Sequence, residues 1–390
     1  MTSAIIITFC SLLLIAYVFD LTSSKTKIPS AILLLLLGWT IRQIIDFSGI
    51  QLPNFAPILP VLGTVGLILI VLEGSLELEL NRSKFKMISK SFFGALLPLF
   101  VSAFLLAYLF RHYGGGSFRD GLVNAVPFCI ISSAIAIPSV RSLSSASKEF
   151  VIYESSLSDI LGVLLFNFVA LNESFGTYSF EVFALQLFII IGVSFLATIA
   201  LSYLLNKIEH HIKFVPIILL VILIYAVSKV YHLPALIFIL LFGLFIGNID
   251  ELKRFKWIEK LKPDDLNREV QKFKELTGEA TFLVRALFFL VFGYLLETSE
   301  ILNPATLIWS IGVVAGIFVL RFIQLKISKL PLSPLLFIAP RGLITILLFL
   351  SIDSSQRIPL VNNSLIIQVI IFTALIMMAG LLTLKKEVLE

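Results

Sequence analysis

From residue 3 to residue 383 the chain repeats one pattern: an apolar run of about twenty residues, then a short polar connection. An α-helix needs about 20 apolar residues to cross a hydrocarbon core. Unsatisfied backbone groups are costly at that depth, so each run has to be helical. Composition points the same way. Hydrophobic residues make up 58% and charged residues 14%, against about 45–50% and 25% in soluble domains. No water-soluble core absorbs that much apolar surface. The chain reads as an all-α membrane protein with about 13 transmembrane helices, near 3–21, 28–45, 57–79, 87–110, 121–142, 148–170, 180–206, 213–230, 233–249, 279–297, 303–325, 331–352 and 362–383.

Basic residues test that assignment. Of the 30 Lys and Arg, 22 fall on the side reached after the first helix, 5 on the other side and 3 within spans. Cytoplasmic loops carry the excess of Lys and Arg, so the N-terminus is expected outside and the C-terminus in the cytoplasm. The net charge of +5 is spread over these short loops and is not a nucleic-acid footprint. The stretch 3–19 lacks a basic leader and a small-residue cleavage site, so it reads as a spanning helix and not a signal peptide. Cys10 and Cys129 lie in apolar runs and imply no disulfide framework. Residues 250–278 form the one sizeable polar segment, expected as a cytoplasmic loop that forms a linker helix at the membrane surface. Nothing in the chain calls for a cofactor.

Thirteen spans divide as six, one and six: a first repeat over about 1–170, a linker helix near 180–206, and a second repeat over about 213–385. The odd helix inverts the second half, the layout of inverted-repeat transporters with sites at discontinuous helices. Pro138 and Pro340 occupy equivalent spans in the two halves. A mid-span proline frees a backbone carbonyl, tolerated where it lines a cavity. Ala136, Ile137, Pro138 and Pro340 are therefore expected in unwound segments.

The span 148–170 carries two carboxylates, in Tyr153-Glu154-Ser155-Ser156-Leu157-Ser158-Asp159-Ile160. Ionisable groups at bilayer depth mark ion or proton paths by default. Asp159 is the candidate site, a group able to hold a proton or a cation but not both. Glu154, five residues earlier, is expected to compensate the buried Arg341. Ser155 and Ser158 flank the carboxylate; each could ligate a hard cation or bond back to its own helix. Glu73 is placed along the ion's approach or at the interface. Arg285 is expected to reach toward the cytoplasmic boundary. Gly243 and Gly247 read as a packing pattern.

Several segments resemble the monovalent cation:proton antiporter family, closest to its NhaP-like sodium/proton branch. They are Ile28-Pro29-Ser30, Gly63-Thr64-Val65-Gly66 leading to Leu72-Glu73-Gly74-Ser75, Leu233-Pro234-Ala235-Leu236, Phe288-Phe289-Leu290-Val291-Phe292-Gly293 and Pro340-Arg341-Gly342. The family's core signature, Glu-Ser-x-x-Asn-Asp, reads Glu154-Ser155-Ser156-Leu157-Ser158-Asp159 here. Ser158 replaces the Asn, and Ala136-Ile137-Pro138 stands where the branch has Thr-Asp-Pro.

The resemblance implies a sodium/proton antiporter fold with two inverted six-helix repeats and a homodimer in a bacterial inner (plasma) membrane. It places Na⁺, or K⁺ or Li⁺, at Asp159 in exchange for H⁺. The single core Asp, with Arg341 in place of a lysine, favours electroneutral exchange. The departures keep two alternatives open: a non-exchanging sensor or accessory protein, and a transporter of another solute on the same fold. No His-Glu-x-x-His motif or facing pair of aspartates supports an intramembrane enzyme.

Overall fold

The computed structural model describes residues 2–49, 54–79, 82–140, 143–172, 176–208, 213–252 and 263–383. Among them every regular element is helical. The helices are α1 (Thr2–Thr26), α2 (Ser30–Ser48), α3 (Leu59–Glu77), α4 (Phe85–Gly114), α5 (Phe118–Cys129), α6 (Ser133–Ser139), α7 (Ser145–Leu171) and α8 (Thr177–Lys207). They continue as α9 (Phe214–Val230), α10 (Leu236–Gly247), α11 (Ile249–Leu252), α12 (Pro263–Leu295), α13 (Thr298–Ile301), α14 (Pro304–Ile327), α15 (Leu343–Leu350) and α16 (Asn363–Leu382). Among the described residues ten segments are long and apolar enough to cross a membrane, and α9 and α10 are shorter apolar helices.

Boundaries follow local chemistry. Ser117 starts α5 with a capping box: its hydroxyl accepts from Asp120 N at 3.1 Å, and Asp120 accepts from Ser117 N at 2.9 Å. Asn303 and Asn362 cap α14 and α16. The expected span 331–352 is not one helix. A short 3-10 turn at Leu335–Phe337 gives way to non-helical backbone at 338–342 before α15 begins. The polar segment is helical as expected over its described second part, but it is not a separate linker helix. Residues 263–278 continue straight into the next span as one helix, because a helix that leaves the bilayer keeps its hydrogen bonds in water. Residues 253–262 lie outside the described ones.

The chain forms two compact units. The first comprises Met1–Thr64, Lys90–Gly162 and Leu283–Glu390. It holds both interrupted spans. Within it Gly38 and Gly293 allow α2 and α12 into backbone contact: a Cβ on Gly38 would sit 2.7 Å from Tyr294 N. Arg285 does not extend to a boundary. It is buried and reaches Asp20 of α1 at 3.3 Å, and Asp20 also accepts from Ser30 of α2 at 3.2 Å. A carboxylate on the neighbouring helix is a closer partner than water.

The second unit comprises Val65–Ser89 and Val163–Phe282. Here Gly243 and Gly247 bring α10 onto α3, where a Cβ on Gly247 would meet Leu76 O at 2.7 Å. Asn248 follows with a side-chain hydrogen bond to Leu78 O at 2.7 Å. The glycine pair is a packing device. Glu73 lies in this unit, beside Gly278 of α12.

Candidate functional site

Asp159 is 1% exposed, on the part of α7 that belongs to the first unit. Opposite it the run of α5 stops at Cys129, and the backbone is extended from Ile130 to Ser132 before α6 resumes. Three consecutive N–H groups are released there, and each finds a tertiary acceptor. Ile131 N donates to Ser158 Oγ at 2.9 Å, Ser132 N to Pro340 O at 2.9 Å, and Ser133 N to Asp159 Oδ2 at 3.4 Å. The Ser133 hydroxyl donates to the same oxygen of Asp159. A buried helix interruption survives only with its polar groups satisfied in this way.

The interruption sits earlier than the sequence suggested. Ala136, Ile137 and Pro138 are helical, within α6. The unwound residues are Ile130, Ile131 and Ser132, lying between Pro127 and Pro138. Proline marks where a helix is weakened, but the acceptors offered by Ser158 and Pro340 decide where it opens. Pro340 does lie in non-helical backbone, with Arg341 N bonded to Thr373 Oγ1 at 3.1 Å. A Cβ on Gly342 would meet Ser132 Oγ at 2.8 Å, so the two interrupted segments touch where they cross.

Arg341 and Glu154 do not pair. Arg341 donates through Nε to Phe128 O at 2.6 Å and through Nη1 to Ala339 O at 2.9 Å. It thus ties the last turn of α5 to the second break, with a cation where a helix C-terminus favours one. Glu154 instead forms a buried ion pair with Arg321 of α14. Arg321 also donates to Leu335 O at 3.1 Å. The physical reason lies in the backbone. At a broken helix Arg341 finds free carbonyls, whereas Arg321 rises from an intact helix whose own carbonyls are taken. Gly94 of α4 makes room for this pair, since a Cβ there would sit 3.0 Å from Glu154 Oε1.

The two serines flanking Asp159 do other work. Ser155 donates back to Val151 O of its own helix at 2.7 Å. Ser158 holds the Ile131 N–H. The partner of Asp159 is Ser133, and next to it Ser132 Oγ is buried without a hydrogen-bond partner among the described residues. The other oxygen of Asp159, Oδ1, is in the same condition. Sequence reasoning passed over Ser132 and Ser133 because it aligned the missing polar groups with Ala136-Ile137-Pro138. The adjacent hydroxyl pair was the available signal.

The arrangement is a buried, crossed-helix centre. It has one carboxylate not engaged in an ion pair and one compensated Glu–Arg pair. A guanidinium is spent on backbone carbonyls.

Among solved structures, the sodium proton antiporter MjNhaP1 from Methanocaldococcus jannaschii at pH 8 is similar to this chain. Identity is 18% and the TM-score 0.63, over 98% of this chain and 96% of that one. A 3D electron-microscopy map of the same antiporter matches at 16% identity and a TM-score of 0.65, over 98% and 95%. At these identities the likeness concerns the fold. No curated protein matches the chain. Residues 10–384 match the transmembrane sodium/hydrogen exchanger family. An integral membrane protein matched over nearly its whole length, with this crossed-helix fold, belongs to the sodium/hydrogen exchanger family.

Proposed function

We propose that this protein is a secondary antiporter that exchanges a monovalent cation, Na⁺ first, for H⁺ by alternating access, with Asp159 binding either ion in turn. The observation that carries this is Asp159 itself. It is buried, it makes no ion pair among the described residues, and one of its oxygens has no hydrogen-bond partner there. Family membership and the fold point to the same activity. A carboxylate in that setting holds a proton or a dehydrated cation, because leaving the negative charge bare at low dielectric is costly.

Hard alkali cations take oxygen ligands. Asp159 Oδ1 and the Ser132 hydroxyl are the candidate ligands, with Ser133 orienting the carboxylate. One titrating carboxylate per site balances one cation against one proton, so exchange is electroneutral. Glu154 and Arg321 form a standing pair and stay out of the cycle. Ser155, Ser158 and Glu73 do not bind the ion directly in this scheme. The hydroxyls at the break supply the polar groups that the Ala136-Ile137-Pro138 stretch lacks, which speaks against a sensor that has lost exchange. A homodimer with the N-terminus outside and the C-terminus inside completes the proposal.

The test uses purified protein in liposomes with an acidic interior and a pH-sensitive dye. Na⁺, Li⁺, K⁺ and choline are added in turn. Proton efflux with one or more alkali cations but not choline, lost in Asp159→Asn, is the expected result. No flux with any cation, from folded and inserted protein, overturns the proposal.

A further inference from the structure

A groove of about 820 Å³ runs along the outside of the first unit between α14 and α16. Its lining is wholly apolar and includes Ala315, Phe318, Phe322, Phe337, Phe372 and Leu375. The two helices run parallel. Their starts are joined by Asn303 donating to Ser364 Oγ at 3.2 Å and Thr306 donating to Gln368 Oε1 at 3.0 Å. On α14 the groove extends from Ile311 to Phe322, about 16 Å at 1.5 Å per residue. That is the depth of one leaflet, half of a hydrocarbon core of about 30 Å.

The C-terminal end of the groove is basic. Lys326 follows Phe322 by one helical turn and places its Nζ 4.7 Å from that ring's centroid. Ser328 closes α14, and Leu330 N returns to Leu325 O at 3.0 Å. The next charged residue, Lys329, sits in that turn at φ 52°, a conformation that favours glycine. No Asp or Glu occurs between residues 301 and 352. Among the described residues neither lysine makes an ion pair. The floor of the groove, Leu336 and Phe337, is the turn that precedes the non-helical stretch through Pro340.

We propose that this groove holds one acyl chain of an anionic phospholipid of the cytoplasmic leaflet, with its phosphate on Lys326 and Lys329. Charge complementarity selects the headgroup, and leaflet-deep length selects the chain. Basic residues at a membrane surface each favour anionic lipid by about fivefold. The occupied groove braces Phe337 and, through it, the second break.

The full chain in detergent, titrated with phosphatidylglycerol and with phosphatidylcholine of the same acyl chains, tests this by native mass spectrometry. Phosphatidylglycerol is expected to be retained at least tenfold better. Raising the salt should erode that preference in the unmodified protein. The double variant K326Q/K329Q should bring the ratio near one, and Ala315→Phe, which fills the groove, should lower retention of both lipids. Melting temperature in lipid-free detergent checks the fold of each variant. Equal retention of the two lipids by the unmodified protein overturns the proposal, as does a preference insensitive to salt and to the lysine substitutions. If Ala315→Phe leaves lipid retention intact and shifts the dimer-to-monomer ratio, the groove receives a second copy of the chain and the lipid proposal falls.

Discussion

The backbone N–H of Ser132 donates to the carbonyl of Pro340 at 2.9 Å, so the two interrupted spans are hydrogen-bonded to each other at their breaks. The extended segment that presents Ser132 and Ser133 to Asp159 is thereby held by the other half of the chain. A change at either break is transmitted to the carboxylate.

Competition at one carboxylate has a kinetic signature. Dye-reported flux at a series of pH values should show the apparent KM for the cation rising as pH falls, with the maximal rate recovered at saturating cation. Ser132→Ala removes a candidate ligand and should raise KM by about tenfold, the equivalent of one lost charge-assisted hydrogen bond. An unchanged KM would remove Ser132 from the ligand set.

The Glu154–Arg321 pair predicts strong non-additivity. Leaving one buried charge unpaired costs about 3–5 kcal/mol, so Glu154→Gln and Arg321→Met should each lower the detergent melting temperature sharply. The double variant should recover much of the loss, and a double-mutant cycle measures the coupling. In the same cycle Glu154 and Arg341 should couple far more weakly, since they share no hydrogen bond.

Arg341 spans two breaks with one guanidinium. Arg341→Lys keeps the charge, but a point-like ammonium cannot reproduce the separate reach of Nε to Phe128 O and Nη1 to Ala339 O. Loss of one bond to a charged donor is worth about 1.5–3 kcal/mol. Arg341→Lys should therefore destabilise measurably in thermal melting and slow exchange, with Arg341→Gln worse on both readouts.

Glycine contacts separate packing from open surface. Gly247→Ala brings a methyl within 2.7 Å of the Leu76 carbonyl, a backbone atom that cannot step aside. Overpacking of this kind costs about 1–3 kcal/mol. Gly312 has nothing within 4 Å of an added Cβ, so Gly312→Ala should be neutral or mildly stabilising. Melting temperatures of the two variants check both directions.

Much of this is legible in the sequence. The apolar runs located the helices, and the pair of acids within α7 singled out Glu154 and Asp159. Two prolines in matched spans announced interrupted helices. The misreadings share a cause. Arg321 and Arg341 are both mid-span cations and only one Glu lies near enough in character to serve either, so the sequence offered no way to choose. Proline suggested where the first break falls, whereas the acceptors on α7 and the Pro340 carbonyl decided it. Arg285 read as a boundary residue because its partner, Asp20, is 265 residues away.

Hydropathy is a property of contiguous residues, summed over one helix's length, so the chain alone determined that it is a membrane protein, roughly where its apolar runs lie and that α7 carries acids at membrane depth. Partner choice is a property of residues far apart in sequence. Glu154 and Arg321 are separated by 167 positions, and Arg341 and Phe128 by 213. Only tertiary packing decides which freed carbonyl or carboxylate each buried donor reaches. Short-range hydrogen bonding at low dielectric leaves no room for a second-best partner.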